Sequence, residues 1–314
     1  MNLELQRILL GDMLRNRKLD QALKKLVKKG DVVLDLGAGT GLLGFLALRH
    51  GAAQVVFVEE RPTLEFAVAM ADQLGVSKQC EFFQMHSSEV ELNTKADVLI
   101  CETLGNFAFE EDILDTVEDG KKWLKPQARI LPSEIGVWAV PVTASTVQKK
   151  IDVCSPRPFD LPTDELRKTF LCRLYSEEVR GADCLKDSRR VIDVQLKKKC
   201  NSQWRSSVTW LVSKQTKVHG FCLYWEATLV PGIVLSTSPW QSPLGGKTHL
   251  KQIYLPLLSS LPLAKGSQLK LDLYSDTRRS TGVHVQWSGG VGDRRGNTSQ
   301  HFSMDTDIGR VGEF

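Results

Sequence analysis

The chain has 314 residues, 42% of them apolar and 25% charged, and a net charge of +4 at pH 7. That length leaves room for two domains with sizeable cores, and the composition is that of a folded globular protein. The mild charge does not by itself mark a nucleic-acid binder, seven cysteines without a C-x-x-C spacing argue against a zinc site or disulfide framework, and no apolar run reaches membrane-spanning length.

Residues 3–28 place Leu3, Leu5, Ile8, Leu9, Leu14, Leu19 and Leu23 on one face and predict a helix. This amino terminus is charged and amphipathic, unlike a signal peptide. With the scattered thiols it suits a reducing compartment, cytoplasmic or nuclear. VVLDL, ending at Leu36, predicts a buried parallel strand. It runs into a tight turn with Gly37, Gly39 and Gly41, then a helix, then a second strand over Val55–Val58. Glu59 follows at the carboxyl end of that strand, where a carboxylate can accept hydrogen bonds from both hydroxyls of a ribose. Ala96–Cys101 predicts a fourth strand. It delivers Glu102 into the loop ETLGNFAFEE, with Glu111 nine residues on.

From 32 to about 130 strands and helices alternate, which predicts a parallel sheet with helices on both faces. Leu131-Pro132 marks the boundary, giving domains 1–131 and 132–314. Beyond it GVWAVPV, RVIDVQL, SVTWLV, GFCLYWEATL, HLKQIYLPLL, SQLKLDLYS and GVHVQW predict an antiparallel barrel or sandwich. Residues 155–190 lack that pattern and predict a helical excursion. SGGVGDRRGNTSQHF predicts a mobile loop.

The spacing of the glycines bears on the ligand. A dinucleotide fingerprint wants a glycine at position 42, where this chain has Leu42. Gly-x-Gly-x-Gly after VLDL instead resembles motif I of S-adenosylmethionine (SAM) methyltransferases. The loop after the fourth strand resembles the double-E hairpin, E-x-M-G-Y-x-x-x-x-E, of the protein arginine methyltransferase family. LPSE at 131–134, PFDLPTDELRKTF, DCLKDSRRVIDVQL and Thr248-His249-Leu250 extend the resemblance over nearly the whole chain.

The resemblance implies an α/β SAM-methyltransferase (Rossmann-like) domain, then an antiparallel β-barrel domain with a helical dimerisation arm at about 157–190. It makes Glu102 and Glu111 the pair that grips a substrate guanidinium. That group is protonated at physiological pH, and two carboxylates can draw its charge to one side and leave the far nitrogen more nucleophilic. It makes Arg15 the partner of the SAM carboxylate and pairs Asp12 with His249 across the domains. SAM itself would lie among Asp35, Gly37, Gly39, Gly41 and Glu59, with Ser88 and Glu89 near the adenine and no metal. Without the resemblance, the glycines read as an ordinary strand-to-helix turn, the acids as a solvated loop and helix start, and His249 as a structural histidine.

The departures shape the function expected. Active members carry a further amino-terminal helix with Y-F-x-x-Y, which closes over SAM. This sequence begins close ahead of Asp12, so that lid is expected to be absent and water to weaken the contacts beneath it. Leu104 and Asn106 stand where Met and Tyr are usual, Leu250 stands for Trp, and Ser88 replaces one acid of a pair. Two functions are open: a working arginine methyltransferase, or a degenerate, prozyme-type paralogue similar to that of trypanosomatids. The latter would bind SAM weakly or not at all, and would activate a catalytic paralogue through the arm. We favour the second; methylation of a non-arginine substrate is a third option. The partners expected are that paralogue or a second copy, and Arg-rich or RNA-binding protein substrates of the complex. No membrane and no direct nucleic-acid contact are expected.

Overall fold

The structure is a computed structural model that describes residues 3–241, 248–292 and 298–307. The amino-terminal segment forms two helices, not the single helix that its apolar periodicity predicts: α1 (Leu3–Gly11) and α2 (Met13–Leu26). Asp12 interrupts them. Its Oδ1 accepts a hydrogen bond from the Arg15 backbone N–H at 2.9 Å and caps α2. The buried stripe of α2, with Leu19, Ala22 and Leu23, faces the core.

The first half is built on β1 (Val32–Leu36), β2 (Gln54–Val58), β3 (Cys80–Phe83), β4 (Ala96–Cys101) and β5 (Leu124–Leu131), with α3 (Leu42–Arg49), α4 (Leu64–Leu74) and α5 (Ile113–Lys121) between strands. All pairings are parallel, in the order β3-β2-β1-β4-β5. Leu36 is level with both Val58 and Cys101. The chain therefore leaves the three central strands at one edge, and Gly37, Glu59 and Glu102 emerge side by side. The order reverses between β1 and β4, the switch point where open α/β sheets bind ligands. Gly41 begins α3 at φ 83°, and a Cβ there would lie 2.8 Å from Ala67 and Phe45, so the turn requires glycine.

The second half holds β6 (Glu134–Val142), α6 (Thr146–Ile151), α7 (Asp164–Leu171), β7 (Tyr175–Glu177), β8 (Arg189–Gln195), β9 (Gln203–Leu211), β10 (Thr216–Val230), β11 (Ile233–Ser236), β12 (Gln252–Leu263), β13 (Gln268–Asp276), β14 (His284–Gly292) and β15 (Thr298–Asp305). These form two antiparallel sheets, β7-β12-β10-β6-β8 with β11 on β10, and β15-β14-β13-β9. Among the described residues they do not close into a barrel by pairing, which corrects that part of the sequence reading. Instead the sheets face each other over aromatic contacts. Phe221 lies 5.9 Å from Trp210 and 5.6 Å from Phe302, and the Trp287 indole N–H donates to the Pro256 carbonyl at 2.9 Å. The glycine-rich run read as a loop is largely the β14–β15 hairpin, with residues 293–297 outside the described part.

The excursion at 157–190 is anchored at its base and bare at its tip. Arg167 pairs with Asp152 at 2.7 Å and donates to the Leu258 carbonyl at 2.7 Å, while Leu171 is fully buried. Phe159 by contrast is 94% exposed, and Leu161, Leu166 and Phe170 are exposed with it.

Candidate active site

A cavity of about 410 Å³ opens at the carboxyl edge of β1, β2 and β4. That volume is in the range of small-molecule sites. Its floor is the glycine turn, with Gly37, Ala38, Gly39 and Thr40, beside Asp35 and Glu59. Glu59 binds the turn directly, since Oε2 accepts from the Gly39 N–H and Oε1 from the Arg61 N–H, both at 2.9 Å. Asp35 is 2% exposed and accepts from the Gly44 N–H at 2.9 Å. Burial, reinforced by the nearby Glu59 charge, pushes its carboxyl up to about 7.

One wall is α1, which contributes Leu5, Gln6, Leu9 and Leu10. Gln6 lies against Gly39, where a Cβ would meet its side-chain oxygen at 3.2 Å.

Glu102, Glu110 and Glu111 also line the cavity. Arg15 and Glu102 form an ion pair, and their side chains are only 7% and 3% exposed. The guanidinium also donates from Nη1 to the Asn16 side chain at 2.7 Å, but its buried Nε has no hydrogen-bond partner. Burial lowers the Arg15 pKa to about 10, although Asp12 and Glu111 oppose the shift. Glu111 is exposed at the rim. Glu110, which the sequence reading did not single out, turns inward and accepts from the Asn106 N–H at 2.6 Å. Its carboxyl is raised by burial and by Glu111.

Contacts from the second half fix this loop. The Trp225 indole donates to the Gly105 carbonyl at 3.0 Å, and the Asn106 side-chain oxygen accepts from the Lys251 N–H at 2.7 Å. Beside them Asp12 Oδ2 accepts from the His249 backbone N–H at 2.9 Å and lies 2.7 Å from its Nδ1. Burial would raise the Asp12 carboxyl, but the hydrogen bonds from His249, Arg15 and Thr248 outweigh it and hold it at about 2. Leu250 is buried.

Of the residues named from the sequence, Arg15, Asp35, Gly37, Gly39, Glu59, Glu102 and Glu111 line the cavity. Gly41 starts α3 behind it, and the Asp12–His249 pair stands beside Arg15. Ser88 and Glu89 are exposed on a short 3-10 turn and do not line it; Met85, His86 and Ser87 do. The α1 face and Glu110 carried no chemical motif, so only the leucine repeat and the adjacent acid could have pointed to them.

Two family models match. Residues 135–289 match the arginine methyltransferase oligomerization subdomain, and residues 19–135 match the ribosomal protein L11 methyltransferase model. Protein arginine N-methyltransferase 6 of Danio rerio is 26% identical over 88% of this chain and 82% of its own. The histone-arginine methyltransferase CARMER of Culex quinquefasciatus is 35% identical over 36% of this chain and 19% of its own. Among solved structures, the Trypanosoma brucei PRMT1 enzyme-prozyme heterotetrameric complex with AdoHcy matches with a TM-score of 0.83 at 19% identity, covering 96% of each chain. Arabidopsis thaliana protein arginine methyltransferase 10 matches with a TM-score of 0.80 at 19% identity, covering 96% of this chain and 97% of that one. The fold and its switch-point cavity define a Rossmann-like SAM-dependent methyltransferase. The chain belongs to the protein arginine methyltransferase family.

Proposed function

We propose that this chain is a SAM-binding subunit of an arginine methyltransferase assembly, with weak turnover of its own, and that its arm pairs it with a catalytic paralogue or a second copy. The observation that carries this is the bare arm tip. Phe159, Leu161, Leu166 and Phe170 are exposed on a segment whose base is locked by Arg167 and Leu171. Covering each such side chain is worth about 1.5–3 kcal/mol, and contiguous apolar surface of this kind marks an interaction site. The occupant is the SAM-binding half of another chain. On that half Met13, Phe66, Val68 and Leu74 are also exposed.

The cavity fits SAM. The orphaned Arg15 Nε can take an oxygen of the methionine carboxylate, Glu59 can hold the ribose, and Gly39 faces only the tip of the flexible Gln6 side chain, which can yield to a ligand backbone. SAM supplies an electrophilic methyl group on sulfur. The residues of the chain orient it and would hold a guanidinium between Glu102 and Glu111.

Weak turnover follows from the other wall. The Asn106 side chain is engaged by the Lys251 backbone, and Leu250, buried, offers no broad aromatic surface. A second reading, an active arginine N-methyltransferase, draws on the intact set of Glu102, Glu111 and Asp12–His249 at a cavity that α1 helps to line. Deleting residues 160–185 tests the assembly. The variant should stay folded and bind SAM, yet fail to associate with or activate a catalytic paralogue. An unfolded variant, or an unchanged mass in light scattering, would make the arm structural.

A further inference from the structure

The parallel sheet is electrically one-sided. Its carboxyl edge carries Asp35, Glu59, Glu102 and Glu111, whereas lysines gather at the amino edge. Because all five strands run the same way, the segment before each strand lies at that edge. Those segments carry Lys28 and Lys29 before β1, Arg49 before β2, Lys78 before β3, Lys95 before β4 and Lys122 before β5. The acids nearby are already engaged: Asp20 by Arg49, Asp31 by Arg129, and Asp97 by Lys125. Lys28, Lys29, Lys78, Lys95 and Lys122 are exposed and form no ion pair among the described residues. Exposed Glu89 and Glu91 temper the β5 end.

The row continues into the second half. The Lys121 ammonium donates to the Lys198 carbonyl, and Lys95 to that of Lys122. This sets the turn Lys197–Lys198–Lys199, exposed throughout, beside the end of α5. Five strands about 4.8 Å apart span about 19 Å, the length of five or six phosphates at about 3.4 Å each along one strand. A net charge of +4 averages this edge with the acidic one and conceals it.

We propose that the amino edge of the sheet, extended by Lys197–Lys199, is a contact surface for the phosphate backbone of a nucleic acid. Lysines are compact point charges suited to phosphates without reading sequence. A protein partner would need an apolar or aromatic anchor at the centre of the patch. Of the large exposed hydrophobic side chains of the described residues, Leu74 at the end of α4 borders the segment before the edge strand β3, at the margin of the row. None lies on the segments before the other strands, and Trp123 already sits under Lys95 and Lys122 at 5.2 and 5.5 Å from the ring centre. The surface is at the opposite edge from the cavity, so it can hold a polyanion without competing with SAM.

Fluorescence anisotropy of the full chain with a labelled 20-nucleotide oligouridine tests this. With about five contacts, affinity should fall about 100-fold between 50 and 200 mM salt. A variant with Lys197→Ser, Lys198→Ser and Lys199→Ser should bind at least about tenfold more weakly at 50 mM and lose about two units of salt slope. Lys95→Ser with Lys122→Ser, in a separate variant, should weaken binding similarly, with SAM binding unchanged in both. The proposal is overturned by no binding at 50 mM salt or by unchanged affinity in both variants. Equal affinity for a polyglutamate peptide would also overturn it, since the surface would then serve acidic proteins.

Discussion

Asp12 and His249 are 237 residues apart in sequence and share one carboxylate oxygen, which meets the His249 backbone N–H at 2.9 Å and its Nδ1 at 2.7 Å. The other oxygen caps α2, so one side chain starts the helix that carries Arg15 and ties it to the sheet half. Cap, cross-link and the buried Arg15 are thereby set within four residues.

This pair should show in the acid limb of stability. The Asp12 carboxyl is held at about 2, below its ordinary value of 3.8. Its contribution is therefore full above about pH 4 and is lost as pH falls through 2. That is worth about 2 kcal/mol. Asp12→Ala should lower the thermal midpoint at pH 6 and flatten the decline between pH 4 and 2, as followed by circular dichroism.

Asp35 acts in the opposite direction and in the next window. With its folded carboxyl raised to about 7, the unfolded chain ionises first. The contribution is full below about pH 4 and is lost as pH rises through 7. Asp35→Asn, which keeps an oxygen for the Gly44 N–H, should remove that slope. A midpoint with the same pH profile as wild type from 4 to 8 would show that Asp35 ionises normally.

Gly39→Val should abolish SAM binding while leaving the fold intact. Gly39 sits at φ 56°, where a β-branched residue is strained by about 1–3 kcal/mol, and its Cβ would enter the space beside Gln6. Titration calorimetry should show heat for wild type and none for the variant. No heat for wild type would mean that the cavity does not take SAM.

Phe159→Ser with Leu161→Ser should weaken assembly without unfolding the chain, because both side chains are exposed and the buried anchor Leu171 is untouched. Light scattering across a concentration series should show dissociation at higher concentration than for wild type.

Much of this was legible in the sequence wherever a local rule and a geometric need coincide. VLDLGAGTG followed by Glu59 contains its own strand, turn and acceptor, and the register of β1 with β2 and β4 brings Glu102 to the same edge. The apolar arm was legible because leucines and phenylalanines outnumber what its short helix can bury. The break at Asp12 was missed because the leucine repeat continues on both sides of it, although Gly11-Asp12 is a stop and a cap in succession. Barrel closure was not legible, since alternation specifies which face is buried and not which strands pair at the ends. Ser88 and Glu89 were placed at the cavity by alignment to a motif, but the 3-10 turn rotates them outward and turns Met85, His86 and Ser87 in. Trp225 holds Gly105 across 120 residues, a relationship that no local pattern encodes.

Methyl transfer to an Arg-Gly-rich peptide, measured with the pure chain and again with a catalytic paralogue added, tests the central claim most directly. The account predicts little or no turnover by the chain alone and a rise in the paralogue's rate when the two are mixed, lost with the 160–185 deletion. Robust turnover by the pure chain, abolished by Glu102→Gln, would contradict it and establish an active arginine methyltransferase.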